Sequence, residues 1–268
     1  MDFIAKLQNK WNQGKFVCIG LDPTLDKLPK HLDGDFFEFN RAIINNTHDL
    51  VLAYKPNSAF YESLGYAGIH FLEQTIDYIH EKHPDIPVIL DAKRADIGST
   101  NVGYVKNAFD YLRADAITVH PYLGKEAMKP FLDQKEKGII VICKTSNPGS
   151  GEFQDLILDG QPFYLRVAKQ VANSWNENGN CCVVVGATYP HELEKVRKVV
   201  GEMPILIPGL GAQGGDLEKT VKAGLTKDKK GIIISSSRGI IFAGDGKDFA
   251  KAARREAEKL NNEIKKFI

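Results

Sequence analysis

The stretch VILDAKRADIGST occupies residues 88–100, an apolar run that stops in four charges within six positions: Asp91, Lys93, Arg94 and Asp96. Before the charges begin there is no alternation of apolar and polar residues. That is the pattern of a parallel strand covered on both faces, not of one with a wet side. Counted with its preceding proline as PVILDAK (87–93), the run has seven counterparts: FVCIGLD (16–22), VLAYKP (51–56), DAITVH (115–120), GIIVICK (138–144), CCVVVG (181–186), PILIPG (204–209) and GIIISSS (231–237).

Helix-period segments separate these runs. FLEQTIDYIHEKH (71–83) carries Leu72, Ile76 and Ile79 on one stripe, and FYLRVAKQVANSW (163–175) and ELEKVRKVVG (192–201) have the same period. A further amphipathic helix is expected at about residues 2–13. Eight buried strands alternating with helices predict an α/β fold closed as a (β/α)8 barrel, with an open doubly wound sheet as the runner-up. No repeat, low-complexity tract or linker divides the chain, so residues 1–268 are expected to form a single domain.

The ends of the runs favour closure. Asp22, Lys55, Asp91 with Lys93, His120, Thr145 with Ser146, Gln213 and Arg238 all fall at or just beyond the C-terminal ends of predicted strands. In a barrel those ends ring one mouth, whereas in an open sheet they would spread along an edge. TSNPGSGEFQDLILDG (145–160) is the longest loop-like segment, and its Gly, Pro, Ser and Asn content suits a mobile lid over that mouth.

Composition narrows the function classes. Of 268 residues 43% are apolar and 26% charged, and 35 basic against 34 acidic side chains leave a net charge of +1. Neither a nucleic-acid nor a membrane partner is expected from so balanced a chain. The N-terminus lacks a signal peptide's apolar core, and no window approaches the roughly 18 apolar residues of a spanning helix, so a cytoplasmic location is expected. Cys18, Cys143, Cys181 and Cys182 sit inside strand runs without C-x-x-C spacing, which argues for reduced core thiols over a disulfide or zinc site.

At the charged strand end, alternation puts the side chains of Asp91 and Lys93 on one side. A lysine flanked by carboxylates stays charged, which makes it a poor Schiff-base nucleophile and a good proton donor. Lys55 ends a neighbouring run and would be costly to bury unpaired, suggesting an alternating network Lys55, Asp91, Lys93, Asp96. The structural alternative is that Asp91 and Lys93 form an ion pair of no chemical consequence and Asp96 caps a helix beginning near Thr100.

GLGAQG (209–214) fits G-x-G-x-x-G, but it follows the seventh run, and the next strand ends in serines where a dinucleotide ribose needs an acid. Loops after the last two strands of a barrel often hold phosphate instead. Gly209, Gly211, Gly214 and Gly215 permit close backbone approach, Gln213 can donate its amide, and Arg238 can make a bidentate contact. Otherwise these glycines are turn formers and Arg238 a surface charge.

DAKRADIGST with its D-x-K-x-x-D, together with GLDP (20–23), YKPN (54–57), TSNPG (145–149), PGLGAQGG (208–215) and SSRGI (236–240), resembles the orotidine 5′-phosphate decarboxylase family, in its longer bacterial branch. The match runs in order from about residue 16 to 240. The resemblance implies conversion of orotidine 5′-phosphate to UMP and CO2 in pyrimidine biosynthesis, without metal or organic cofactor, by a homodimer with shared active sites. It implies that Asp22 and Lys55 hold ribose hydroxyls, and that Asp91, Lys93 and Asp96 form the charged network. Asp96, Ile97 and Thr100 would come from the neighbouring subunit. Ser146 would read the pyrimidine amide edge, Pro208 and Gly209 would line the phosphate end, Gln213 would bridge lid and phosphate, and Arg238 would grip the phosphate. The competing readings are a Mg2+-dependent sugar-phosphate lyase or aldolase on a related barrel, and a nucleotide-binding protein without catalysis. His120 is expected to be a satisfied structural histidine.

Overall fold

The computed structural model describes residues 1–210 and 216–268. All eight apolar runs form strands: β1 Val17–Ile19, β2 Ala53–Tyr54, β3 Ile89–Arg94, β4 Ala116–Val119, β5 Gly138–Lys144, β6 Cys181–Val185, β7 Ile205–Pro208 and β8 Ile232–Ser236. They pair in parallel in the order β2-β1-β8-β7-β6-β5-β4-β3. The two ends of that order meet: Tyr54 bridges Val88, and Asn57 bridges Asp91. Amide bonds from Tyr54 to the Pro87 carbonyl (3.1 Å) and from Asp91 to the Pro56 carbonyl (2.9 Å) seal this seam. The sheet is thus a closed (β/α)8 barrel, not the open alternative.

β1 and β2 are shorter than their apolar runs, yet ladder bonds run on past them: the Lys55 amide donates to the Ile19 carbonyl at 2.9 Å and the Leu21 amide to the Lys55 carbonyl at 3.2 Å, while Pro56 has no amide to donate. The expected helices are present as Phe3–Asn12, Gly65–Lys82, Phe163–Gln170 with a π-helical turn to Trp175, and Pro190–Val200. The first is capped by Asp2, whose carboxylate accepts from the Ala5 amide at 2.7 Å. It lies across the N-terminal end of the barrel. Phe3 presses on Gly138, where a Cβ would stand 2.3 Å from the ring; Lys6 pairs with Asp115 at 2.7 Å; and the Trp11 indole donates to the Ile232 carbonyl at 2.9 Å. With that end covered by a helix, the opposite mouth is left for a ligand.

The strands supply a continuous core in which Cys18, Ile19, Ile139, Val183, Ile207 and Ile234 are fully buried. All four cysteines are buried and unpaired, and burial pushes the Cys18 thiol up to about 12. No helix among the described residues is long and apolar enough to cross a membrane.

The segment 145–160 departs from the expectation of an irregular loop. It holds a 3-10 turn at Pro148–Ser150, a short helix at Gly151–Gln154, and a hairpin pairing Ile157–Leu158 with Gln161–Pro162. The hairpin turns through Asp159 and Gly160, both at positive φ (51° and 74°), the geometry that two-residue turns of this kind demand. An Asp-Gly pair between strand-compatible residues is the signal that makes this legible.

Candidate active site

The polar strand ends converge on a cavity of about 530 Å³ at the C-terminal mouth. Its walls come from five adjacent strands. Asp22, Lys55 and Asp91 stand at the ends of β1, β2 and β3, while Pro208, Gly209 and Arg238 stand at the ends of β7 and β8. Asp22 accepts the Asn57 amide at 3.0 Å, and Gly20 is required beside it, since a Cβ there would come within 2.9 Å of the Asp22 carboxylate and 2.6 Å of the Ser237 Cβ. Thr24 and Ser237 also line the cavity, and their buried hydroxyls have no hydrogen-bond partner among the described residues.

Asp91 is the hub. One carboxylate oxygen accepts from Lys55 Nζ at 2.6 Å and from the Asn57 amide nitrogen at 3.5 Å; the other accepts from Lys93 Nζ at 2.7 Å and from the Thr118 hydroxyl at 2.8 Å. Asp91 and Lys55 are only 8% and 6% exposed, whereas the Lys93 side chain is 45% exposed. Burial alone would raise the Asp91 carboxyl, but the Lys55 and Lys93 ammonium groups outweigh it and hold Asp91 well below the usual carboxylate range. Burial likewise opposes the charge on Lys55, and Asp91 and Asp22 outweigh it, leaving Lys55 above the usual lysine value.

The pairing of Asp91 with Lys93 stands, but simple pleating is not its cause. β3 is in register with β4 at Leu90 opposite Ile117, then resumes at Arg94 opposite Val119, so residues 91–93 bulge against Thr118. Lys93 sits in the left-handed region at φ 47°, unusual for a residue with a side chain.

Asp96 does not join the network within its own chain. Its carboxylate accepts the neighbouring Ile97 amide at 2.6 Å, and its backbone is gripped on both sides by the fully buried Asn101, which accepts the Asp96 amide at 2.9 Å and donates to the Asp96 carbonyl at 2.7 Å. The helix that follows runs Gly98–Val105 with Ile97 at its N-cap, so Asp96 is not its capping residue and the start lies before Thr100. Ile97 and Thr100 are both exposed.

Ser146 stands apart from the cavity wall, half-buried and packed against Gly186, where a Cβ would meet its own at 2.8 Å. His120 is exposed at the end of β4, not satisfied inside the barrel, and partial enclosure together with the Lys93 charge lowers its pKa. Gln213, with Gly211, Gly214 and Gly215, lies outside the described residues.

Four residues with no sequence-assigned role shape the site: Asn57, Asn101, Thr118 and Lys144. Lys144, at the end of β5, is 1% exposed, donates to Asp155 at 2.7 Å and Ser150 at 3.1 Å, and lies 4.6 Å above the Tyr189 ring. It ties the segment 145–160 to the barrel. A charge ending an otherwise apolar strand was its signal, as a lone hydroxyl inside AITV was for Thr118.

A family model described as orotidine 5′-phosphate decarboxylase / HUMPS family matches residues 15–253. The chain belongs to this family. It is 49% identical to an orotidine 5′-phosphate decarboxylase of Cellvibrio japonicus over 98% of both chains, and 49% identical to one of Ralstonia pickettii over 100% of this chain and 99% of that one. Among solved structures, Leishmania donovani OMP decarboxylase superposes with a TM-score of 0.84 at 36% identity, covering 98% of this chain and 99% of the other. Leishmania donovani UMP synthase superposes with a TM-score of 0.90 at 38% identity, covering 100% of this chain and 56% of that longer one. Membership in the decarboxylase family extends over the whole barrel, so the charged hub on β3 lies inside the matched region.

Proposed function

We infer that this protein decarboxylates orotidine 5′-phosphate to UMP and CO2, with Lys93 as the group that stabilises and then protonates the reacting carbon. The observation that carries this reading is the Asp91 carboxylate fixed between two ammonium groups at 2.6 and 2.7 Å, with Asp91, Lys55 and Arg238 all lining one cavity. An anionic substrate of nucleotide length can present its phosphate to Arg238 and the loop at Gly209, and its base to Lys93.

The chemistry needs such a hub. Breaking the bond from C6 to the carboxylate leaves the electron pair on C6 as a vinyl carbanion that ring resonance delocalises poorly. The Lys93 ammonium stabilises that charge and passes a proton to C6, forming UMP as CO2 departs, and water later returns the proton to the amine. A pair of unit charges at about 4 Å is worth roughly 4 kcal/mol at an effective dielectric near 20, or about three powers of ten in rate. The rest comes from preorganisation: Lys55, Asn57 and Thr118 already hold Asp91, so no reorganisation accompanies the reaction. Asp91 also repels the departing carboxylate. Asp22 and Lys55 then contact the ribose, Ser146 reads the base once the segment 145–160 closes, and Pro208, Gly209, Gln213 and Arg238 hold the phosphate. Loss of orotidine 5′-phosphate absorbance, with and without EDTA, is the direct test; no turnover, or turnover abolished by the chelator, would overturn this reading.

A homodimer with shared sites belongs to the same proposal, as do a cytoplasmic location and catalysis without metal or organic cofactor. Asp96 is rigidly held yet stands outside the hub of its own chain, and exposed apolar residues follow it at Ile97 (57%) and Val102 (45%) after β3 and at Tyr122 (87%) after β4. Asp96, Ile97 and Thr100 therefore complete the partner's site. Mixing inactive Asp96→Asn and Lys93→Ala proteins should restore activity, because one hybrid site regains both groups. Failure to recover any, with hybrids demonstrated by mass spectrometry, would refute sharing.

At the phosphate end, Arg238→Ala should lower kcat/KM by about a hundredfold, since a bidentate contact to a dianion is lost. An unchanged kcat/KM would remove Arg238 from the site.

A further inference from the structure

We propose that Thr118 is a positioning residue for the reaction, its hydroxyl setting the geometry of Asp91 and Lys93 together. This rests on the role given above to that pair. Thr118 is 1% exposed, in the middle of β4, directly across from the bulge in β3. At a bulge the ladder hydrogen bonds are interrupted, and buried amides need other partners. The Lys93 amide finds one in the Thr118 hydroxyl, 3.0 Å away.

That bond decides the direction of the next. A threonine hydroxyl has a single proton, and with its oxygen accepting from the Lys93 amide, the proton is directed to Asp91 Oδ1 at 2.8 Å. The same carboxylate oxygen receives Lys93 Nζ at 2.7 Å. The Lys93 backbone, its ammonium group, the Asp91 carboxylate and the hydroxyl thus form one closed circuit. Lys93 is held in it at φ 47°, a conformation that persists only where the surroundings impose it. Threonine suits the task because its β-branch restricts χ1, so the hydroxyl is not free to turn away. Among the described residues no other side chain hydrogen-bonds both the Lys93 backbone and the Asp91 carboxylate.

The experiment compares Thr118→Val, which keeps shape and removes the hydroxyl, with Thr118→Ser, which keeps the hydroxyl. Steady-state kcat and KM for orotidine 5′-phosphate and Kd for UMP are measured on the full chain, with Lys93→Ala as reference. Valine should lower kcat by about ten- to a hundredfold with KM and Kd within about threefold, and serine should recover kcat to within about fivefold of wild type. Wild-type kcat in the valine variant would overturn the assignment, as would a loss that serine does not recover, because packing and not the hydroxyl would then be responsible. A rise in KM and Kd matching the fall in kcat would also overturn it, by marking general damage to the site. Should the valine variant not fold, Thr118→Cys, of similar volume and only a weak donor, decides the question: wild-type kcat in it overturns the proposal and a tenfold loss supports it. A fully active Lys93→Ala protein would strike the reading of the pair itself and Thr118 with it. An inactive one beside a fully active valine variant strikes Thr118 alone.

Discussion

Lys93→Ala is expected to lower turnover by at least about three powers of ten while leaving UMP affinity within about tenfold of wild type. The asymmetry follows from where the ammonium group sits. UMP carries no charge at C6, so the lysine has little to hold in the product complex, whereas a carbanion in the transition state depends on it. An interaction made only in the transition state appears in kcat and not in binding. The Lys93 side chain is 45% exposed in the single chain, so its removal leaves no deeply buried cavity, and the protein should keep its melting temperature to within a few degrees. Stopped-assay kinetics and UMP titration check both halves. Residual turnover within about tenfold of wild type would take the proton donor's role away from Lys93.

Asp91→Asn should be costly in a different way. Among the described residues the carboxylate is the one negative group within ion-pair distance of Lys55, which is 6% exposed, so the substitution leaves a buried ammonium with only the more distant Asp22 charge beside it. Breaking a buried pair from one side typically costs about 3–5 kcal/mol, and stability measured by urea unfolding at neutral pH should fall by about 3 kcal/mol, the asparagine still accepting a hydrogen bond. Activity should be lost as well, since Lys93 loses the group that orients it.

The pH dependence has a definite sign. Asp91 is depressed in the folded protein by Lys55 and Lys93 against its own burial, so its contribution is fully present above the ordinary carboxylate pKa and is lost as pH falls through the folded-state value. Lys55 is raised, so its contribution is present below the ordinary lysine pKa and is lost as pH rises through the folded-state value. Unfolding curves of Asp91→Asn should lack part of the acid loss that wild type shows, and their alkaline loss should begin at lower pH. Identical pH profiles for the two proteins would mean that the hub contributes nothing to folding.

Local pattern was enough for most of the architecture. Each of the eight apolar runs became a strand because a continuous Val- and Ile-rich segment is satisfied only when both faces are covered, and that is a property of neighbours in sequence. The end of the barrel that bears the site was legible for the same reason, since Asp22, Lys55, Asp91 and Arg238 each close an apolar run on its C-terminal side. The D-x-K-x-x-D of residues 91–96 marks the charged pair in the sequence itself.

Pairing across the barrel decided the rest. The bulge that brings Lys93 onto Asp91 arises because residues 91–93 face Thr118, 25 positions beyond Lys93 in the chain, and no window around DAKRAD contains that information. Likewise Lys144 is buried because Asp155, Ser150 and Tyr189 close over it, and Asp96 is withheld from the hub because Asn101 fixes its backbone. Strand identity follows from the hydrophobic period, an energy summed over adjacent residues. The direction of a polar side chain at a strand end follows from which donor stands opposite it, and only the closed sheet determines that.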